Sequence, residues 1–401
     1  MYNLKIKKKY LGFILCCIGI FVFPYILRNR ISTSIAAFNI VFYIGLFICF
    51  YKGVLKSPLK RQEKLSWKIW YMLFFVFSII LLFFVIKNGY DYNYKMKVVF
   101  CNILPALIVF AVIPKEEDIK KLSDYWFWFF KIVCYLMVLG GLFDKIIGNK
   151  LQELLANFYD VKSLYSMFNS GRLISFYGHS LLNANIFLMF LLWVLVRKKK
   201  NISTSNYILN ILIAILGIAL TGSKSALILG AVMLVVFITD KKNIKYVIPM
   251  LIALMIACFS GVLDTTLDRL LIGIESGDLT TSRNTALTKV IENGTVEFEW
   301  FKGHFLDGDL PYIVIALEYP LLRLAFKYGI AFTLIFFITF FIYPVFKIIG
   351  VKEWRILLGV IAYMIYVNGY DGISSMGDTL ILYSMNILLI VSICQAQKSL
   401  N

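Results

Sequence analysis

Apolar runs long enough to cross a lipid bilayer recur along this chain, and no other feature limits its folding so tightly. "YLGFILCCIGIFVFPYIL" (10–27) and "IWYMLFFVFSIILLFFVI" (69–86) are two of them. A hydrocarbon core about 30 Å thick takes about 20 helical residues, so runs of this length specify membrane-spanning helices. Composition agrees: 60% of the 401 residues are hydrophobic and 16% are charged, where a soluble domain carries about 25% charged residues. The expected class is therefore all-α, a single polytopic membrane domain over 1–401. The first run is long and no small-residue cleavage site follows it, so a cleavable signal peptide is not expected.

Polar breaks divide the chain into about twelve expected spans, near 10–27, 35–51, 69–86, 98–113, 124–147, 174–196, 207–221, 225–239, 246–263, 321–346, 356–370 and 379–394. Lysine and arginine test that order. Lys5, Lys7, Lys8 and Lys9 precede the first span, and the basic segments 52–68, 114–122, 197–200, 240–245 and 347–355 follow alternate ones. Alternation of this kind is the positive-inside pattern, and it puts both termini in the cytoplasm. The net charge of +18 is then a matter of topology, and no nucleic-acid partner is expected.

On this topology the outer segments are 28–34, 87–97, 148–173, the turn "TGSKS" (221–225), 264–320 and "DGISSMGD" (371–378). The long external loop 264–320, between the ninth and tenth spans, is acidic. Asp264, Asp268, Glu275, Asp278, Glu292, Glu297, Glu299, Asp307, Asp309 and Glu318 face only Arg269, Arg283, Lys289 and Lys302. Within it "TTLDRLLIGI" (265–274) and "SRNTALTKVI" (282–291) place apolar residues at helical spacing, as in short helices lying on a membrane interface. "FEWFKGHF" (298–305) adds an aromatic segment suited to headgroup level. All seven cysteines lie in apolar runs with no CxxC spacing, so neither a disulfide nor a metal site is expected, and no cofactor. No repeat of domain length is present, which disfavours transporters built from two similar halves.

The residues able to do chemistry gather on the outer side. Arg172, His179, Asn183 and Asn185 lie in 170–187, with the last three at spacings that share one helix face. Ser223, Lys224 and Ser225 occupy the outer turn, and Arg283, His304 and Glu318 the long loop. Plainer roles stand beside the functional ones. His179 and Asn183 are packing or substrate residues, Asn183 and Asn185 also suit hydrogen bonds between helices, and Lys224 can snorkel to the interface. Arg172 and Arg283 beside apolar sequence each require an anionic partner, whether a loop carboxylate, a lipid phosphate or a substrate phosphate.

Four patches resemble the family of O-antigen ligases and Wzy-type polysaccharide polymerases: "GRLISFYGHSLLNAN" (171–185), "LTGSKSALILG" (220–230), "TTSRNTALTKVIENG" (280–294) and "EYPLLRLAFKYGIAFTLI" (318–335). They cover the second half of the chain, while the first half is similar only in being a set of spans. Lys224 stands where the family usually has arginine; the family's Arg-x10-Gly pattern is met by Arg283 and Gly294, and its Arg-x15-Gly pattern is not met from Arg172.

The resemblance implies a metal-independent membrane glycosyltransferase of the bacterial cytoplasmic (inner) membrane. It would move a growing glycan from undecaprenyl diphosphate to a lipid-linked repeat unit, for O-antigen or capsule. Its implied partners are undecaprenyl-diphosphate-linked glycans and membrane lipid, with a chain-length regulator as a further one. In that setting Arg172, Lys224 and Arg283 bind the diphosphate, His304 is the first candidate for base and Glu318 the second, and the long loop acts as a lid. A polysaccharide ligase of the same family shares all four patches. A lipid-linked oligosaccharide flippase or other transporter is the rival from another class, and the near absence of mid-span cations beyond Lys131 leans against it.

Overall fold

The computed structural model describes residues 7–33, 36–56, 65–87, 89–111, 113–114, 116–197, 204–238, 261, 264–277, 283–293, 297–301, 303–304, 319–370, 373 and 378–399. They are overwhelmingly helical. The first half holds α1 (Leu11–Phe21), α2 (Tyr25–Ile31), α3 (Ile40–Tyr51), α4 (Leu65–Lys87), α5 (Tyr92–Lys97), α6 (Leu104–Ala111) and α7 (Glu116–Ile146). Then come α8 (Lys150–Tyr159), α9 (Lys162–Asn169), α10 (Ser180–Val196), α11 (Thr204–Leu220) and α12 (Lys224–Ile238). After these stand α13 (Asp264–Glu275), α14 (Arg283–Glu292), α15 (Pro320–Tyr328), α16 (Ile330–Phe337), α17 (Tyr343–Ile349), α18 (Trp354–Asn368) and α19 (Thr379–Ser399). The short strands β1 (Leu55–Lys56) and β2 (Ile113–Pro114) pair antiparallel.

Among the described residues four helices are long and apolar enough to cross a membrane: Trp67–Lys87, Glu116–Ile146, Ile330–Ile349 and Thr379–Ala396. The pair Lys8–Phe21 and Tyr25–Ile31, bent by 77°, makes a fifth if taken as one span. The bend falls at Pro24, so the run 10–27 is not one straight helix. Proline acts twice more: π turns at Val98–Ile103 and Ile338–Ile342 lie just before Pro105 and Pro344. A proline ring displaces the carbonyl four residues back, and the wider turn absorbs it without ending the helix.

Two further expected spans have different limits. The segment 174–196 becomes helical only at Ser180, after an irregular stretch pinned by the Ser175–Gly178 bridge. The segment 321–346 divides at Gly329, whose φ of 88° breaks α15 from α16. Only glycine takes that conformation without strain. The ninth expected span, 246–263, lies almost entirely outside the described residues.

Helix α10 is the centre of the bundle, with Ile186 to Val194 wholly buried between α7, α11, α12 and α18. Helix α4 is the reverse, and presents Met72, Val76, Ile79, Ile80, Phe83 and Ile86 outward. A surface this apolar suits lipid and not water.

The loops gather at two opposite ends of these helices. At one end Lys9 pairs with Asp118 (2.7 Å) and Glu117 (3.3 Å), Arg197 pairs with Asp124, and β1 meets β2. At the other, Arg28 pairs with Asp378, Tyr159 donates to the Phe176 carbonyl (2.7 Å), and the Leu173 N–H donates to the Leu220 carbonyl (2.9 Å). Sequence-distant segments therefore share each end.

Candidate functional site

The second end is where cations converge, and the turn between α11 and α12 is their meeting point. Thr221 ends α11 by donating its hydroxyl to the Ile218 carbonyl (2.6 Å), and Gly222 follows at φ 64°. Ser223 caps α12, its hydroxyl accepting the Ala226 N–H at 3.4 Å. Half-buried Lys224 opens that helix. The turn thus presents carbonyls from a helix C-terminus beside the N–H groups of a helix N-terminus.

Arg172 reaches the turn from the irregular stretch before α10. That stretch is fixed by side chains: Gln152 accepts the Ile174 N–H (2.6 Å), and Asn183 donates to the Leu173 carbonyl (3.0 Å) while accepting from Ser175 (2.7 Å). Gln152 is itself placed by Asp144, which caps α8 through the Leu151 and Gln152 N–H groups. So held, Arg172 donates Nε to the Thr221 carbonyl at 3.0 Å. Its Cγ would lie 2.9 Å from a Cβ at position 222. Gly222 is needed both for its backbone angle and for this close approach.

Two more arginines arrive from the long loop. Arg269 on α13 donates to the Gly222 carbonyl at 2.6 Å, and Arg283, the first residue of α14, donates to the Gly369 carbonyl at 2.9 Å. Helix α13 is seated by Leu267 against Ala219 of α11, and α14 by Val290 against Phe326 of α15. Tyr319 adds a hydrogen bond to Asn284 (2.7 Å). Apolar faces on the two loop helices therefore carry both guanidiniums to one place.

His179 sits among them. It is not on the helix face that the spacing suggested: it is the N-cap of α10, with Nδ1 accepting the Leu181 N–H at 3.2 Å. Burial, and then the Arg172 and Arg283 charges, push its pKa down to about 4. The Arg269 guanidinium is likewise pushed below its usual range, by burial and by Arg283. Arg172, Arg269, Arg283 and His179 thus form one electrostatic group in which the named charges are all positive. Tyr366 of α18 borders it, its hydroxyl donating to the Leu181 carbonyl (2.9 Å) beside Ser223.

The other sequence candidates stand elsewhere. Asn183 is wholly buried and its amide holds the Arg172 stretch; it is a positioning residue, and Asn185 is buried two residues further along α10. His304 lies at the far end of α15, its N–H donating to the Phe326 carbonyl (2.8 Å) and its Nε2 3.4 Å from the Glu297 carbonyl. Gly303 before it packs directly on the Lys327 backbone. From Tyr319, near Arg283, to Phe326, beside His304, is seven residues of chain, about 10 Å along a helix. Glu318 and Gly294 fall outside the described residues. Sequence reasoning passed over Arg269, counted there only as a loop cation, and Tyr366. Arg269's one signal was its place in an amphipathic run, since its partner at Gly222 is 47 positions away.

Compared with known proteins, the chain matches no family model, no curated protein and no solved structure.

Proposed function

We propose that this chain is a Wzy-type polysaccharide polymerase, with about twelve membrane spans and both termini in the cytoplasm of a bacterial cell. The observation that carries the reading is that Arg172 and Arg269 both donate to the Thr221–Gly222 turn, while Arg172 and Arg283 both act electrostatically on His179 and Arg283 acts on Arg269. Guanidiniums gathered in one partly buried place present the forked donors that suit a multiply charged anion. A diphosphate at the head of a lipid carries such charge. Two supports come from elsewhere: the four family-like patches, and the gathering of the alternate loops at opposite ends of the bundle.

In this reading the arginines and Lys224 hold the diphosphate. An acceptor sugar hydroxyl attacks C1 of the donor glycan, the C1–O bond to the diphosphate breaks, and the acceptor proton passes to a base. Fixed cations stabilise the charge appearing on the leaving oxygen. His304 serves the acceptor, and the roughly 10 Å of helix between it and Arg283 leaves room for the reacting sugar.

Purified protein in lipid nanodiscs with a synthetic undecaprenyl-diphosphate repeat unit, and no added divalent metal, tests this. The expected product is a polymer ladder. A charge-assisted contact is worth roughly 1.5–3 kcal/mol, so Arg283→Ala should slow transfer about tenfold to a hundredfold. His304→Ala should slow it while leaving donor binding nearly intact. Folded alanine variants that polymerise at the parent rate, or loss of activity to a chelator, would count against it. A ligase would instead hand finished polymer to a different acceptor, leaving single repeat units unextended.

A further inference from the structure

Helix α8 is 10 residues long, about 15 Å, and so too short to cross a membrane. Its outer surface is nevertheless apolar. Leu151, Leu154 and Phe158, spaced to share one face, are 42%, 62% and 47% exposed. Lys150, Glu153 and Asn157 form a second exposed face beside it, and Gln152, Ala156 and Tyr159 a third that is buried. The next helix, α9, is built differently. Lys162, Ser163, Ser166 and Asn169 are exposed there, while Leu164 and Met167 are buried. Two successive short helices thus turn opposite chemistries outward.

The apolar face of α8 continues one that begins on α7, a helix long and apolar enough to cross a membrane. Leu139, Phe143 and Ile146 follow one another along α7 at helical spacing, each more than half exposed. Helix α8 starts where α7 stops. The Asn149 N–H donates to the Asp144 carbonyl (2.8 Å) and closes α7, while the Asp144 carboxylate accepts the Leu151 (2.6 Å) and Gln152 (3.2 Å) N–H groups and opens α8. Gly148 and Asn149, at φ 74° and 62°, turn the chain between the two. One apolar stripe therefore passes from a spanning helix to a short one at the end of the bundle that carries the arginine cluster.

We propose that α8 is seated in the lipid surface by Leu151, Leu154 and Phe158, and that this seat holds in place the stretch carrying Arg172. The proposal rests on the reading of the chain as a membrane protein and not on glycan transfer. An amphipathic helix binds at a bilayer interface by burying its apolar face among acyl chains while its polar face stays wet, and α8 supplies both faces. Its third face carries the seat inward. Gln152 accepts the Ile174 N–H (2.6 Å), Tyr159 donates to the Phe176 carbonyl (2.7 Å), and Ala156 and Tyr159 share a buried cluster with Ile174. Ile174 and Phe176 lie in the irregular stretch from which Arg172 reaches the Thr221 carbonyl.

Nitroxide labels on the full chain in nanodiscs test the seat. The described cysteines are buried, so in a Cys258→Ser background the label attaches at a cysteine added on α8. Leu154→Cys and Phe158→Cys should collide mostly with oxygen, which concentrates among acyl chains, whereas Glu153→Cys and Asn157→Cys should collide mostly with a water-soluble nickel chelate. Labels at 154 and 158 as open to nickel as those at 153 and 157 would overturn the proposal, because the face then meets water. Labels at 154 and 158 shielded from both reagents would overturn it too, because a second copy or another protein then covers the face.

Hydrogen exchange at the Ile174 amide tests the link to the site, since that N–H ends on Gln152. Leu154→Glu with Phe158→Glu should raise its exchange rate at least about tenfold, and Leu154→Met should leave it near the parent value. An exchange rate unchanged in the double glutamate variant would overturn the link. Polymer synthesis enters neither measurement, so a chain that never extends a lipid-linked repeat unit would remove the transferase reading and leave this one standing.

Discussion

Arg28 and Asp378 tie the first bent helix pair to the last helix, and removing either should show how much the fold relies on that tie. Arg28 donates Nη1 and Nη2 to the two carboxylate oxygens at 2.6 and 2.7 Å, a bidentate pair in which both residues are nearly buried. The surrounding bonds are complete: Arg28 also donates to the Ala36 carbonyl (3.0 Å) and the Phe23 carbonyl (2.5 Å), and Asn39 donates to Asp378 and to the Gly19 carbonyl, each at 2.9 Å. Arg28→Ala leaves the carboxylate with the Asn39 amide in place of three donors. Breaking a buried pair by removing one partner costs about 3–5 kcal/mol, because the remaining charge is not compensated. Replacing both partners by apolar residues of similar volume, Arg28→Met with Asp378→Leu, should recover most of the loss, since the attraction and the desolvation cost vanish together. Unfolding in mixed micelles of the parent, both single variants and the double variant gives a double-mutant cycle, with an expected coupling of about 2 kcal/mol or more. Additivity within about 0.5 kcal/mol, or an Arg28→Ala protein as stable as the parent, would refute the reasoning.

Two further perturbations test the site. Gly222→Ala forces a side chain into the left-handed region at a cost of about 1–2 kcal/mol and puts its Cβ 2.9 Å from Arg172 Cγ, so transfer should fall at least about tenfold while unfolding shifts only modestly; an active alanine variant would show that Arg172 need not touch the turn. His179 has a folded pKa of about 4, below its ordinary 6.5, so the unfolded chain takes up the proton first. Its contribution to stability is complete above pH 6.5 and is lost as pH falls toward 4, by up to about 3 kcal/mol. Thermal unfolding of the parent between pH 7 and pH 4.5 should show that loss, and His179→Asn should flatten it.

The helical class was legible because long apolar runs admit few other solutions. Helix limits were less so. The segment 174–196 reads as one span, yet its first part is held irregular by Gln152, Asn183 and Ser175 through contacts that sequence spacing does not encode. The break between α15 and α16 was signalled only by Gly329, since the residues on both sides are good helix formers. The bend after α1 carried its signal in Pro24, but nothing in the local sequence shows that the bent segment brings Arg28 to Asp378, 350 positions later.

The site divides in the same way. Arg172, Lys224 and Arg283 stood out as cations beside apolar sequence, where a charge needs a reason. Arg269 did not, because it lies in a loop with ten carboxylates and could be taken for a solvated charge. What distinguishes it is its bond to the Gly222 carbonyl, on a helix that Leu267, two residues earlier, seats against Ala219. The amphipathic faces of α13 and α14 therefore have two tasks that a sequence alone shows as one. Each buries apolar area, and that burial sets where a guanidinium comes to rest. A polar substitution at Leu267 or Val290 should then act on anion binding through Arg269 or Arg283 without touching any charged group.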